Sequence, residues 1–129
     1  MRTLIETIPH KSQVYETVGD WRNDPDGTLR IRVSDMKNDD YEFLIALHEM
    51  IEQHLCKKRG ITTESVDEFD IEFEKHRANS VGINTSEPGD NRFAPYQNEH
   101  CIATGMERIM AAALGVKWSD YEEAINSLP

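Results

Sequence analysis

The stretch Asp39-Asp40-Tyr41-Glu42-Phe43-Leu44-Ile45-Ala46-Leu47-His48-Glu49-Met50-Ile51-Glu52-Gln53-His54-Leu55-Cys56-Lys57-Lys58-Arg59-Gly60 decides how the rest of the chain is read. It predicts one long helix. Asp39 is placed to cap it, and Glu42, three residues on, completes a capping-box pattern. Lys57, Lys58 and Arg59 suit the negative end of the helix dipole, and Gly60 supplies a left-handed closing residue. At about 100° per residue, Phe43, Ala46, Leu47, Met50, Ile51 and Leu55 form a broad apolar face, with Glu42, Glu49 and Gln53 opposite. His48 and Glu52 fall inside an apolar surround, flanked by Leu44, Ile51 and Leu55 on one side and by Ile45 and Cys56 on the other. Burying such groups requires pairing, hydrogen bonding or a metal. At a spacing of i, i+4 they lie one turn apart on one face, the geometry by which a helix offers two ligands to one ion.

Around this helix, 129 residues with 38% hydrophobic content predict a single domain, 1–129, with a core large enough to stand without disulfides or structural metal. A metal here is then functional rather than structural. The net charge of -10 argues against nucleic acid and against an anionic membrane as partners. There is neither an apolar span of about 18 residues nor a signal-peptide pattern. The cysteines, Cys56 and Cys101, sit on helices rather than in a spaced framework. The expectation is a soluble, cytoplasmic protein with reduced thiols.

Upstream, Thr3 to Ile8 and Val14 to Val18 are rich in β-branched residues, and Leu29, Ile31 and Val33 alternate with Arg30 and Arg32. Asn23-Asp24-Pro25-Asp26-Gly27 has the residues of a tight turn, so the second and third runs are expected to form an antiparallel hairpin beginning near Trp21. The arginines read as a solvated sheet face.

Downstream, Thr62 or Thr63 caps a second helix to about Arg77, with a stripe of Val66, Phe69 and Phe73 and with Asp70 projecting between them. Asp70 either lies at the stripe's edge, reaching water or an arginine, or stands near a metal as a ligand or as an acceptor orienting a histidine. From Asn79 to Ala94 the chain is irregular, a length that suits a lid, a substrate-binding rim or a mobile loop. A third helix begins near Pro95 and ends at Gly115, with Ala103, Met106, Ile109, Met110, Ala113 and Leu114 as its core face and His100 and Glu107 along one border. His100 is either a packed, hydrogen-bonded histidine or the third ligand that His48 and Glu52 lack. A short last helix follows, with Ser119 and Glu122 as a capping box and Tyr121, Ala124, Ile125 and Leu128 docking it. The fold class is therefore α+β: a small N-terminal antiparallel sheet of about three strands packed against three or four helices.

This order of elements, with His48-Glu49-x-x-Glu52 on the first helix, resembles the small zincin-like metalloproteases. That family's pattern is His-Glu-x-x-His, with a third ligand on a later segment. The resemblance implies His48 as first ligand, Glu49 as general base, Glu52 in place of the second histidine, and His100 or Glu107 as third ligand. It implies a Zn²⁺-dependent hydrolase acting on a peptide or protein. A carboxylate is an acceptable zinc ligand, but it lowers the site's net charge and favours a harder ion such as Mn²⁺. His54, six residues from His48, is expected on the core face and does not restore the motif.

Glu49-x-x-Glu52 followed by Glu64-x-x-Asp67 is also similar to the paired carboxylates of the all-helical MazG-like nucleotide pyrophosphohydrolases. That resemblance implies magnesium held against a nucleotide's phosphates. Under the zincin-like reading Glu64 and Asp67 are exposed. A third reading is a non-catalytic metal-binding or interaction domain in which His48, Glu52 and Asp70 satisfy one another across a helix pair.

Overall fold

The computed structural model describes residues 1–78 and 87–129. Its elements are β1 (Thr3–Ile8), β2 (Gly19–Asn23), β3 (Leu29–Ser34), α1 (Asp39–Lys58), α2 (Thr63–Ala78), α3 (Gln97–Leu114) and α4 (Trp118–Asn126). Short 3-10 turns at His10–Ser12 and Pro88–Asp90 complete them. The α+β class is as expected, but the sheet is mixed rather than antiparallel. Its order is β1-β3-β2, with β2 antiparallel and β1 parallel to β3. Ile8 and Gly19 both lie at the Val33–Ser34 end of β3, so the residues between them cross over that end and β2 runs back, which leaves β1 parallel to β3.

That crossover contains the run Val14 to Val18, expected as the second strand. Its β-branched composition is overridden by packing. Val14 is 66% exposed, while Gln13 donates to the Ser34 hydroxyl and the His10 Nδ1 lies 2.9 Å from the same oxygen. The hairpin itself forms between β2 and β3, with Trp21 opposite Ile31. Leu29, Ile31 and Val33 are buried, as their alternation requires. Arg30 and Arg32 are not left to water. Arg32 forms a bidentate pair with its cross-strand partner Asp20, at 3.0 and 2.6 Å, and Arg30 bonds Asp24 and Glu6.

Asn38, not Asp39, caps α1, its side chain accepting from the Tyr41 N–H at 3.1 Å. Glu42 bonds outward instead, accepting from the Met36 N–H and the Thr7 hydroxyl. Gly60 takes the left-handed conformation, with φ of 75°, beyond the helix. In α2 the Ser65 N–H donates to the Thr62 hydroxyl, so Thr62 is the cap. Helix α3 starts two residues later than expected and is entered through Tyr96. Helix α4 starts at Trp118 with no side-chain cap, and Glu122 accepts from the Trp118 indole rather than closing a capping box.

The largest departure concerns which helix faces are buried. In α1 these are Leu44, Ile45, Ala46, His48, Glu52, Gln53 and Cys56, whereas Phe43 and Met50 of the expected apolar face are 50% and 37% exposed. His54 is exposed as well. In α3 Glu99, His100, Ala103, Glu107 and Ala111 are buried, while Met106, Ile109 and Leu114 stand in solvent and Ala113 is exposed. Apolar count alone therefore misplaces both core faces. His48, Glu52, His100 and Glu107 turn inward into contact with one another, which offsets the penalty that burial otherwise imposes.

Helix α1 also lies unusually close to β2. A Cβ added at Gly19 would stand 2.7 Å from Ile45 Cγ2 and 2.9 Å from Glu49 Cγ. Gly19→Ala is expected to destabilise the fold by about 1–3 kcal/mol, the range for overpacking a filled contact. Urea denaturation measures it. An unchanged midpoint would show that the strand and helix separate freely there.

Candidate metal centre

Helix α1 presents His48 and Glu52 one turn apart, and α3 runs alongside it. Glu107 meets His48 while His100 meets Glu52, so the two helices are antiparallel. Three donor atoms converge in the seam. His48 Nε2 lies 3.0 Å from Glu52 Oε2 and 3.2 Å from His100 Nδ1, and His100 Nδ1 lies 2.8 Å from the same carboxylate oxygen. All three residues are buried.

The far nitrogen of each ring faces carboxylates, with hydrogen-bond geometry at His48 but not at His100. His48 Nδ1 is 2.8 Å from Glu107 Oε1, and the Tyr121 hydroxyl donates to Glu107 Oε2 at 2.5 Å. His100 Nε2 lies 3.0 Å from Glu87 Oε2 and 3.3 Å from Asp90 Oδ1. With a metal bound, carboxylates there would keep the ring protons on the outer nitrogens and leave the inner ones free to ligate. Two such nitrogens and a carboxylate oxygen repel unless a cation sits among them. Gly89 holds His100 in this pose, since a Cβ on it would stand 2.3 Å from the ring.

The electrostatics point the same way. Burial disfavours the imidazolium of His48, but its bonds to Glu107 and Glu52 outweigh burial and hold its pKa well above the ordinary range. His100 is raised too, by Asp90, Glu52 and Glu87 against the effect of burial. Glu52 is lowered, because the two histidines overcome its burial. With protons alone, the cluster holds positive charge between its ligands. A divalent cation would take the same place. The donor set also suits one: zinc with ligands at about 2.0–2.2 Å in a tetrahedron sets them roughly 3.3–3.6 Å apart, so the 2.8 to 3.2 Å separations here would open by about 0.1–0.8 Å on binding.

Beside the triad opens a cavity of about 260 Å³ lined by the crossover, α1 and α2. Glu49 lines it, half-buried, one residue along from His48. Its carboxyl is pushed well above the usual range by burial first and by the charge of Glu52 second. Asp67 lines it too, half-buried rather than exposed, while Glu64 is exposed as expected.

Asp70 shares the cavity but not the triad. It accepts from the Tyr15 hydroxyl at 2.8 Å and from the Tyr96 hydroxyl, so its partners are neither an arginine nor a histidine. Glu107, considered as a ligand, instead orients His48 from outside. Of the irregular 79–94 stretch, residues 79–86 lie outside the described residues, and the 3-10 turn Pro88–Asp90 forms the wall against His100. The sequence reading missed Glu87, Asp90, Tyr121, Tyr15 and Tyr96. Pro88-Gly89-Asp90 reads as turn punctuation, and nothing in its spacing points to a histidine ten residues on. Among the described residues, no helix is long and apolar enough to cross a membrane. No family model, characterised protein or solved structure matches the chain.

Asp70 offers a pH test on a carboxyl that does not belong to the triad. Burial raises its carboxyl to about 7, against the lowering effect of the tyrosine bonds. The folded chain therefore keeps a proton that the unfolded chain releases near its ordinary value of about 4. The stability this proton contributes is complete below about 4 and is lost as pH rises to about 7. Asp70→Asn is expected to gain stability relative to wild type across that window. Parallel denaturation curves at several pH values check it, and a constant difference would contradict the assignment.

Proposed function

We propose that the chain is a metal-dependent hydrolase, a zincin-like peptidase whose metal is held by His48, Glu52 and His100. The observation that carries this reading is the convergence of two imidazole nitrogens and a carboxylate oxygen, 2.8 to 3.2 Å apart, with further carboxylates beside the outer nitrogens of both rings. Zn²⁺ is the first candidate, and the carboxylate ligand also admits Mn²⁺ or another divalent ion. When bound, such an ion supplies Lewis acidity toward a carbonyl and lowers the pKa of water toward about 7.

The protein's own groups supply the remainder. Glu49 differs from His48 by about 100° around α1 and so faces the cavity instead of the triad. Its raised pKa suits a general base, which takes a proton from the attacking water and returns it to the leaving amine. Glu107 and Tyr121 hold the His48 ring, and Gly89 with its neighbouring carboxylates holds His100. A peptide or protein segment reaching the cavity is the substrate this arrangement suits.

Metal analysis after dialysis is expected to find about one transition-metal ion per chain, or one bound on titration with Zn²⁺ or Mn²⁺. Glu107→Gln is expected to weaken that binding by about 10–100-fold, the range for an outer partner of a ligating histidine. Protein that takes up neither ion would leave a hydrogen-bonded structural cluster as the better reading.

Glu49→Gln separates binding from catalysis. The variant is expected to keep the metal and lose hydrolysis of a peptide-library substrate by at least about a hundredfold. Loss of the ion in Glu49→Gln, with retention in Glu52→Ala, would reverse the two roles. Metal binding without cleavage of any peptide would make the chain a non-catalytic metal-binding or interaction domain.

One observation favours a second reading, the MazG-like pyrophosphohydrolase. Asp67 lines the same cavity as Glu49 and Glu52. The three-stranded sheet departs from that family's all-helical fold. Mg²⁺-dependent release of pyrophosphate from nucleoside triphosphates, abolished in Asp67→Ala, would displace the peptidase reading.

A further inference from the structure

The triad uses one nitrogen of His100 and leaves the other. His100 is 5% exposed, and its Nε2 makes no hydrogen bond among the described residues. Glu87 Oε2 stands 3.0 Å and Asp90 Oδ1 3.3 Å from it, yet neither oxygen lies where a proton on that nitrogen would point. A buried polar atom left in this way is costly. An ion bonded to Nε2 lifts the restriction, because each carboxylate then meets the ion instead of the nitrogen. The three residues form a compact donor group, with their ligand atoms within 4.8 Å of one another.

One turn and one helix build this group. Glu87 and Asp90 flank Pro88 and Gly89, and the absence of a side chain at Gly89 lets the turn close on the His100 ring, where a Cβ would stand 2.3 Å away. Both carboxylates are thereby carried to the far nitrogen. Beyond them opens a second cavity of about 320 Å³, lined by Glu87, Asp90, Thr104, Arg108 and Trp118 among others. Thr104 follows His100 by one helical turn, and its hydroxyl oxygen is likewise buried without a partner among the described residues. The Glu87 and Asp90 side chains are 51% and 55% exposed, so water reaches the group to complete an ion's coordination.

We propose that Glu87, Asp90 and His100 Nε2 form a second divalent-cation site, with the His100 ring shared between it and the triad. The ion takes the place of a proton on Nε2, which leaves to solvent. Two carboxylates, one imidazole and water suit Mn²⁺. Charge supports a second ion. Glu52, Glu87, Asp90 and Glu107 bring four negative charges to the two rings, and a single divalent ion offsets only two of them. The outer site does not require an ion in the triad, since Glu87 and Asp90 belong to it alone.

Metal-free full-length protein is titrated with Mn²⁺ to about 1 mM, the bound ion being counted from the loss of the free-ion electron paramagnetic resonance signal. Two equivalents per chain are expected. Glu87→Gln with Asp90→Asn is expected to leave one and to weaken the other at least about tenfold, since losing two ligands costs no less than losing an outer partner of one. Glu52→Ala, which strips the triad, is expected to keep the outer equivalent. Asp39→Asn with Asp40→Asn, acids exposed at the start of α1, is expected to keep both. His100→Ala is expected to lose both while circular dichroism shows it folded; if it unfolds, the Glu87 and Asp90 pair decides. A single equivalent lost in Glu52→Ala and indifferent to the Glu87 and Asp90 substitutions would overturn the outer site and leave the triad standing. A single equivalent with the opposite dependence would uphold the outer site and overturn the triad. No uptake at all would overturn both.

Discussion

Three polar atoms buried within 2.8 to 3.2 Å of one another, His48 Nε2, Glu52 Oε2 and His100 Nδ1, set the constraint on which this fold is built. Such a cluster is tolerable inside a protein only if a cation, proton or metal, sits among the three. The outer carboxylates make the requirement stricter, because Glu107, Glu87 and Asp90 add further negative charge beside the far nitrogens. The seam between α1 and α3 is thus a charged core. Its neighbours are arranged to keep it in register.

That arrangement explains the orientation of both helices. Rotating α1 to bury Phe43 and Met50 would carry His48 and Glu52 toward solvent and separate them from α3. The loss of a buried, mutually bonded set of charges exceeds the gain of a few half-exposed apolar side chains. The sheet contributes by proximity: Gly19 lets β2 approach Ile45 and Glu49, and Trp21, Ile31 and Val33 supply the apolar floor. The same closeness brings Glu49 to the edge of the cavity. Tyr121 on the last helix joins hydrophobic core and polar seam, being itself buried while its hydroxyl holds Glu107.

The sequence by itself determined the helices to within a few residues, the β2–β3 turn, the alternation of β3 and the pair His48 and Glu52 at one-turn spacing. These follow from local physics: capping, backbone preference and periodicity act within a few residues. Glu49 as the neighbour of that pair and His100 as a distant candidate were legible too, since residue type and helical angle sufficed. Tertiary structure alone decided that β1 lies parallel to β3, that Gly19–Asn23 rather than Val14–Val18 forms the second strand, and that His100 completes the triad while Glu107 supports it from outside. It also decided which helix faces are buried. Periodicity counts apolar residues on a face, but burial free energy includes the partners that polar residues find across the fold. Glu107 lies 59 positions from His48, and Tyr121 joins Asp70's tyrosines in bonds whose partners no local spacing encodes.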